Sequence, residues 1–449
     1  MQTVKRSGIM DSARNVMLWT LCLGVLMVQL DTSVANLAVH AIGVSLHASL
    51  RTLQWTIDGY NLVYASLLMS GGTLADLFGR RRILRAGVSL FTLGSAISGL
   101  APSPAVLIMG RVISGVGAAL LLPSTLALIR VIWTDPRERA HAIGVWAGMN
   151  GVAFALGPTL GGFLISLGGW RAVFLLIIPF GLTMGWLAKR TLPEPVEHVS
   201  TARQLDVPGQ LLAIAGLAGL TFAVIERGRL AGATAVLSGI SVLGFLWVEH
   251  HAGEDAMIPL TLFRIPALTG AISIFASMTF GMYGMLFLLP LVWLQSNALT
   301  VTHAGIALLP MSLAYVALSH KSGAMSHRLG TRPMIAGGMA LIGSGLLTLS
   351  FTRAGQPLAM AEAGLLLTGV GMAFGTGPLL AVAVAAVTSS RAGTASGLIN
   401  TARMVGATLG VAMCGVAYAA GVTPAHGFTL AMRLGAVVVF GGALRATCL

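Results

Sequence analysis

Few residues in this chain could carry acid, base or charge chemistry, because only 9% are charged and 56% are hydrophobic. Two carboxylates interrupt long apolar runs: Asp31 in LDTSVANLAV and Asp58 in QWTIDGYNL. Arg111 does the same in LIMGRVISGVGAA. A carboxylate carried into hydrocarbon loses its hydration, a setting that suits reversible protonation or the holding of a cation. An arginine there costs roughly 2.5 to 3.5 kcal/mol on insertion scales, so Arg111 is expected to face a cavity or a carboxylate. Asp31 could instead be a structural, hydrogen-bonded carboxylate, and Asp58 could face interfacial water.

A third carboxylate, Asp76, sits in GGTLADLFGRRR beside Arg80, Arg81 and Arg82. Across a tight turn at Gly79 it can pair with an arginine and meet a helix N-terminus, forming a lock that a movement could break. Taken singly, the arginines are equally well explained as topological anchors.

No constellation for catalysis accompanies these groups. Cys22, Cys414 and Cys448 lie far apart, without disulfide or metal-ligand spacing. No HExxH, Gly-Lys-Ser/Thr phosphate loop or GxSxG is present, and adjacent His250 and His251 chelate poorly. An enzyme, an ATP-driven pump and a metal site are therefore not expected, and no cofactor is needed beyond an ion gradient.

The elements that must position Asp31, Asp58 and Arg111 are membrane spans. Apolar stretches long enough to cross the roughly 30 Å hydrocarbon core recur between residues 16 and 444, and fourteen are expected, the weakest at 428–444. The first, 16–39, is too long for a cleaved signal peptide, holds Asp31 and is followed by no cleavage site, so it is expected to be a mature helix. Asp31 would lie roughly 22 Å into it.

The net charge of +13 follows the same logic. With the N-terminus inside, about 20 of the 27 Lys and Arg fall on cytoplasmic segments, so the basic balance reports topology and implies no nucleic-acid partner. Both termini are expected in the cytoplasm and the chain in the cell membrane.

The sequence also repeats itself. GGTLADLFGRRRI is echoed weakly by SGAMSHRLGTRPMI, SGVGAA by TGVGMA and ALGPTLGG by TLGVAMCG. These matches map Gly79 to Gly330, Gly115 to Gly369 and Gly157 to Gly410 at nearly one offset. The expected fold is all-α and polytopic: a six-helix bundle over 1–190, a linker and inserted two-helix hairpin over 191–255, and a second parallel bundle over 256–449. His327 falls where Asp76 would map, so the lock is expected on one side only. The loop 188–206 is expected to be a solvated linker, and Glu226 and Glu362 to be solvated.

Four motifs resemble the major facilitator superfamily, and within it the fourteen-helix drug:proton antiporters. GGTLADLFGRRR is similar to the loop between the second and third helices, with Gly72, Asp76, Gly79, Arg80 and Arg82 in place. LIMGRVISGVGAA resembles the fourth-helix motif, with Ser114 where Gln is usual. GVWAGMNGVAFALGPTLGG resembles the fifth-helix antiporter motif through Gly144, Gly157, Pro158, Gly161 and Gly162, with Ala153 in place of a Gly. LDTSVANLAV resembles the first-helix motif of the fourteen-helix group, with His40 where Pro is usual, and Asp58 matches an acidic residue of some quaternary-ammonium exporters.

The resemblance implies a monomeric secondary transporter that exports small lipophilic or cationic compounds in exchange for protons. In it Asp31, Asp58 and Arg111 would couple protons or hold a cation, the Gly72–Arg82 loop would gate, and the 144–162 motif would shape the fifth helix. Tyr60, Phe280 and Tyr283 are candidates to line the cavity, although core packing also accounts for aromatic and Met residues there. Two alternatives remain open at this level: an exporter or importer of a native metabolite or siderophore, and a transport-inactive membrane sensor.

Overall fold

The computed structural model describes residues 2–193, 206–226, 228–253, 256, 258–353, 358–388 and 392–449. Most of the expected linker at 188–206 and Arg227 lie outside the described residues, as does the side chain of His327. Every regular element among the described residues is helical.

The chain begins with α1 (Gln2–Leu46), α2 (Leu50–Phe78), α3 (Arg80–Gly99), α4 (Pro104–Ile132), α5 (Pro136–Leu175) and α6 (Ile177–Thr191). The pair α7 (Val207–Ile225) and α8 (Arg229–Ala252) follows. After it come α9 (Pro266–Gln295), short α10 (Val301–Ala307), α11 (Leu309–Leu329), α12 (Thr331–Leu349), α13 (Ala359–Ala385), α14 (Ala392–Ala419) and α15 (Pro424–Thr447).

Start signals are written locally. Proline stands in the first turn of α4, α5, α7, α9 and α15, where its missing N–H costs no helical bond. Asp135 caps α5 by accepting from the Arg137 and Glu138 amides at 2.9 and 3.0 Å, and Asp206 caps α7 through the Gly209 amide at 2.9 Å. A single residue, Gly79, separates α2 from α3 with φ of 97°, a conformation costly for any residue with a Cβ.

Eleven helical stretches among the described residues are long and apolar enough to cross a membrane, against fourteen expected. Two of the missing ones, α2 and α3, fail on composition: α2 is rich in Gly, Ser and Thr, and α3 opens on three arginines. The third is a merger, since Pro136–Thr191 runs on as one helical stretch. Inside it Gly169 takes φ of 68° and kinks the chain between the spans expected at 141–167 and 170–188.

The repeat is visible as backbone packing. In the first half a Cβ on Gly117 would strike the Phe91 backbone and one on Gly94 the Ser114 backbone, so α3 and α4 touch main chain to main chain. In the second half Gly371 meets the Ile342 backbone and Gly345 the Gly364 carbonyl, giving α12 and α13 the same seam. Gly115 abuts the Tyr60 backbone on α2, and its repeat mate Gly369 abuts Met311 on α11. Gly157 abuts Ser33 on α1, while Gly410 abuts Phe280 on α9. Gly330 repeats the left-handed turn of Gly79 with φ of 90°.

Between the halves, α2 packs on α14 and α5 packs on α10 and α11. Helix α7 lies against α8, α2 and α14. Ser238 donates to the Gly216 carbonyl across α7 and α8 at 2.7 Å, and Gln210 of α7 bonds both the Ser66 carbonyl and the Ser70 hydroxyl of α2. At the other end of α7 Glu226, expected to be solvated, accepts from Trp55 Nε1 at 3.2 Å and pairs with Arg51 at 3.5 Å. The linker brings Glu226 back beside the first turn of α2, which sequence spacing does not reveal.

Candidate functional site

Asp31 lies fifteen residues before the end of α1, about 22 Å from it, in the interior of the first bundle. Arg111 reaches it from the second turn of α4, and its Nη1 donates to both carboxylate oxygens at 2.8 and 2.7 Å. The side chains are 0% and 1% exposed, so the pair is fully withdrawn from solvent and lipid. The guanidinium is further held by the Thr56 carbonyl, which accepts from Nε at 3.3 Å, and by the faces of Tyr60 and Phe174 at 4.4 and 5.5 Å. Four helices of the first half thus meet on one ion pair. The expected carboxylate partner of Arg111 is present, and Tyr60 belongs to this pair's cage.

Asp58 has a different setting. It is 0% exposed, and neither carboxyl oxygen has a hydrogen-bond partner among the described residues. One turn earlier on the same face, Gln54 donates to the Val411 and Ala412 carbonyls of α14 at 3.2 and 2.9 Å, so this face of α2 looks at the second half. Asn61, one turn later, is also buried and unpartnered. Asp58 is therefore not at the water interface but within the seam between the halves.

The antiporter-like stretch of α5 divides in two. Gly157, Pro158, Gly161 and Gly162 are packed: Gly157 and Gly161 against Ser33 and Val34 of α1, Gly162 against Val301 and Thr302, and the Pro158 carbonyl against Gly305 of α10. Gly144 has no neighbour within 4 Å of a would-be Cβ, nor has Gly148, and Gly323 of α11 is equally open. The halves touch near the end where α1 turns into α2, through Gly162 with Val301 and Thr302 and through Gln54 with the Val411 and Ala412 carbonyls. Other close contacts between the halves are Phe154 with Tyr315, ring centroids 5.9 Å apart, Gly151 with Val316, and Gly397 with Met69.

At the arginine end Asp76 and Arg80 form an i,i+4 ion pair at 3.2 Å, 34% and 25% exposed. Arg81 donates to the Lys189 carbonyl at 2.6 Å, Arg82 is exposed, and Gly72 faces Pro123. The candidates Phe280 and Tyr283 on α9 are both buried, Phe280 against Gly410.

One residue escaped the sequence reading. Arg403 lies eleven residues into α14, about 16 Å from its start, in the apolar stretch NTARMVGATLG. Partly buried, it donates to Asn400 Oδ1 at 3.0 Å. The signal was available, since an arginine inside an apolar run is what singled out Arg111.

Glycine-seamed helical bundles, eleven long apolar helical stretches among the described residues and a fully buried ion pair describe a multi-pass membrane protein of the transporter class. The chain belongs to the Major Facilitator Superfamily, whose sequence pattern matches residues 21–411. It is 37% identical to the multidrug resistance protein Stp of Mycobacterium tuberculosis over 404 residues, 89% of this chain and 74% of that one. It is 31% identical to the methylenomycin A resistance protein of Streptomyces coelicolor over 445 residues, 98% and 93% of the two chains. Among solved structures, a bacterial homologue of the human lysosomal transporter Spinster superposes with a TM-score of 0.70 at 19% identity, covering 97% of this chain and 96% of that one.

Proposed function

We propose that this protein exports small lipophilic compounds in exchange for protons by alternating access, using fourteen crossing helices: two six-helix repeats and the α7–α8 hairpin. The observation that carries this reading is the pairing of two buried carboxylates with opposite settings in one half. Asp31 is fully compensated by Arg111, whereas Asp58 is unpartnered in the seam that must open and close.

An unpaired charge in such a seam is penalised by several kcal/mol, and adding a proton removes that penalty. Asp58 is thus the proton carrier, neutral while the seam is closed and ionised when rocking admits water. The Asp31–Arg111 pair fixes α1 to α4, so that the half moves as a unit, and Asp76 with Arg80 holds the arginine end, which is cytoplasmic. The resistance and export names of the relatives support the direction. One proton moving inward yields ~2.3 kcal/mol per 100 mV and ~1.4 kcal/mol per pH unit, enough to sustain a several-hundredfold gradient of a neutral solute.

Inverted membrane vesicles test the reading. Acidifying their lumen is expected to drive accumulation of a lipophilic dye, and a response to neither direction of pH gradient would refute proton coupling.

A further inference from the structure

We propose that a groove between α9 and α15 binds an anionic phospholipid, with Arg445 holding the phosphate and an acyl chain lying over Gly441. The groove belongs to the second half alone, so the proposal does not depend on what the protein transports.

A cavity of about 370 Å³ is lined by Thr269, Ser273 and Ser277 of α9 and by Val438, Gly441, Gly442 and Arg445 of α15. The three hydroxyls recur every fourth residue and so form one stripe along α9. Close approaches fix the antiparallel register of the two helices: Leu449 covers Gly270, and a Cβ on Gly442 would strike the Ser277 hydroxyl. Arg445 lies between these two contacts and therefore comes level with Ser273. Helix α9 has 30 residues, about 45 Å of length against a hydrocarbon core of roughly 30 Å. Ser273, about 10 Å from its start, thus stands near headgroup depth, and Arg445 with it.

The lining selects the ligand. Arg445 is exposed, and its guanidinium makes no hydrogen bond or ion pair among the described residues. No carboxylate lines the groove. The planar fork of an arginine matches phosphate oxygens two at a time. The hydroxyls donate within their own chain segment, Thr269 to the Phe263 and Ile265 carbonyls at 2.9 and 3.0 Å, Ser273 to Gly270 and Ser277 to Ile274, both at 2.9 Å. A hydroxyl hydrogen rotates to suit, so each can turn to a phosphate or ester oxygen. Deeper in the groove Gly441 is exposed, with nothing within 4 Å of a would-be Cβ, and beside Val438 this leaves a trough for hydrocarbon. A basic pocket between membrane helices at this depth is a form that takes anionic headgroups.

Helix packing alone does not impose the groove. At the offset that maps Gly157 to Gly410, Thr20, Gly24 and Leu192 stand for Ser273, Ser277 and Arg445. There Thr20 and Leu192 are buried, and a Cβ on Gly24 would meet the Met184 side chain of α6. The first half fills, without a charge, the place that the second half leaves open.

The test titrates the full chain in detergent with phosphatidylglycerol and phosphatidylcholine of identical acyl chains, read by native mass spectrometry. Phosphatidylglycerol is expected to bind roughly tenfold more tightly than phosphatidylcholine at the first site filled. Arg445→Gln is expected to remove that preference and Arg445→Lys to keep part of it. Gly441→Leu, which fills the trough, is expected to weaken phosphatidylglycerol several-fold. Equal affinity for the two lipids in wild type, a preference that survives Arg445→Gln, or unchanged binding to Gly441→Leu overturns the proposal. Millimolar inorganic phosphate is expected to leave the lipid bound, and displacement that depends on Arg445 would mark a site for free phosphate and overturn the lipid assignment. Should Arg445→Gln fail to give monodisperse protein, Thr269→Ala with Ser273→Ala must weaken phosphatidylglycerol several-fold, and unchanged binding overturns it.

Discussion

Asp31 and Arg111 are joined by one guanidinium nitrogen donating to both carboxylate oxygens, at 2.8 and 2.7 Å, with neither side chain exposed by more than 1%. Removing one member strands the other. Arg111→Ala is expected to cost about 3 to 5 kcal/mol, read as a large fall in the melting temperature of purified protein. The double change Asp31→Asn with Arg111→Gln leaves no stranded charge and is expected to recover most of that stability. Recovery no greater than that of the worse single variant would mean the pair is not the reason for the loss.

Asp58 makes the opposite prediction. With no partner to lose, Asp58→Asn is expected to leave thermal stability within about 1 kcal/mol of wild type while abolishing dye accumulation driven by a pH gradient. Downhill dye exchange without a gradient should persist. Wild-type gradient-driven accumulation in Asp58→Asn would remove Asp58 from the coupling role.

The glycines of α4 and α5 separate packing from motif membership. Gly117→Val forces a side chain into the Phe91 backbone and is expected to cost at least 1 to 3 kcal/mol, with poor membrane yield. Gly144→Ala, at an open position, is expected to leave stability unchanged or raise it by up to about 1 kcal/mol through helix propensity. Comparable losses from both would contradict the packing described for these helices.

Asp76 with Arg80 is half-exposed, so the pair itself contributes no more than about 1 kcal/mol. Asp76→Asn is therefore expected to fold normally, and a severe loss of transport would reflect gating. Initial rates of dye uptake alongside protein yield distinguish the two. Gly79→Ala, forced to φ of 97°, should instead lower stability by about 1 kcal/mol or more.

Much of this was legible in residue types alone. The arginine in an apolar run called for a cavity or a carboxylate, of which the structure supplies the carboxylate, and the echoed glycines fall on matching close approaches in the two parts of the chain. The setting of Asp58 was not legible, since it depends on where α14 passes, some 350 residues later in the chain. The partners of Glu226, Arg51 and Trp55, were hidden for the same reason, although the side chain stays 28% exposed. Arg403 was overlooked although the rule that found Arg111 covers it. The count of spans differed where composition is polar: α2 carries Gly and Ser that bury against neighbours, and α3 opens on arginines that stay partly or fully exposed.

The glycine seams between α3 and α4 and between α12 and α13 have a mechanical consequence. Main chain resting on main chain contains no rotamers to adjust, so these seams have little compliance and little entropy to release. Each half is therefore expected to behave as a stiff block, with deformation concentrated at the joints between blocks. The joints between the halves combine polar contacts, Gln54 on the Val411 and Ala412 carbonyls and Thr302 on the Gly162 carbonyl, with close backbone approaches of Gly162 to Val301 and of Gly305 to Pro158. A clasp with rigid jaws, as the proposed rocking requires, would have to release both.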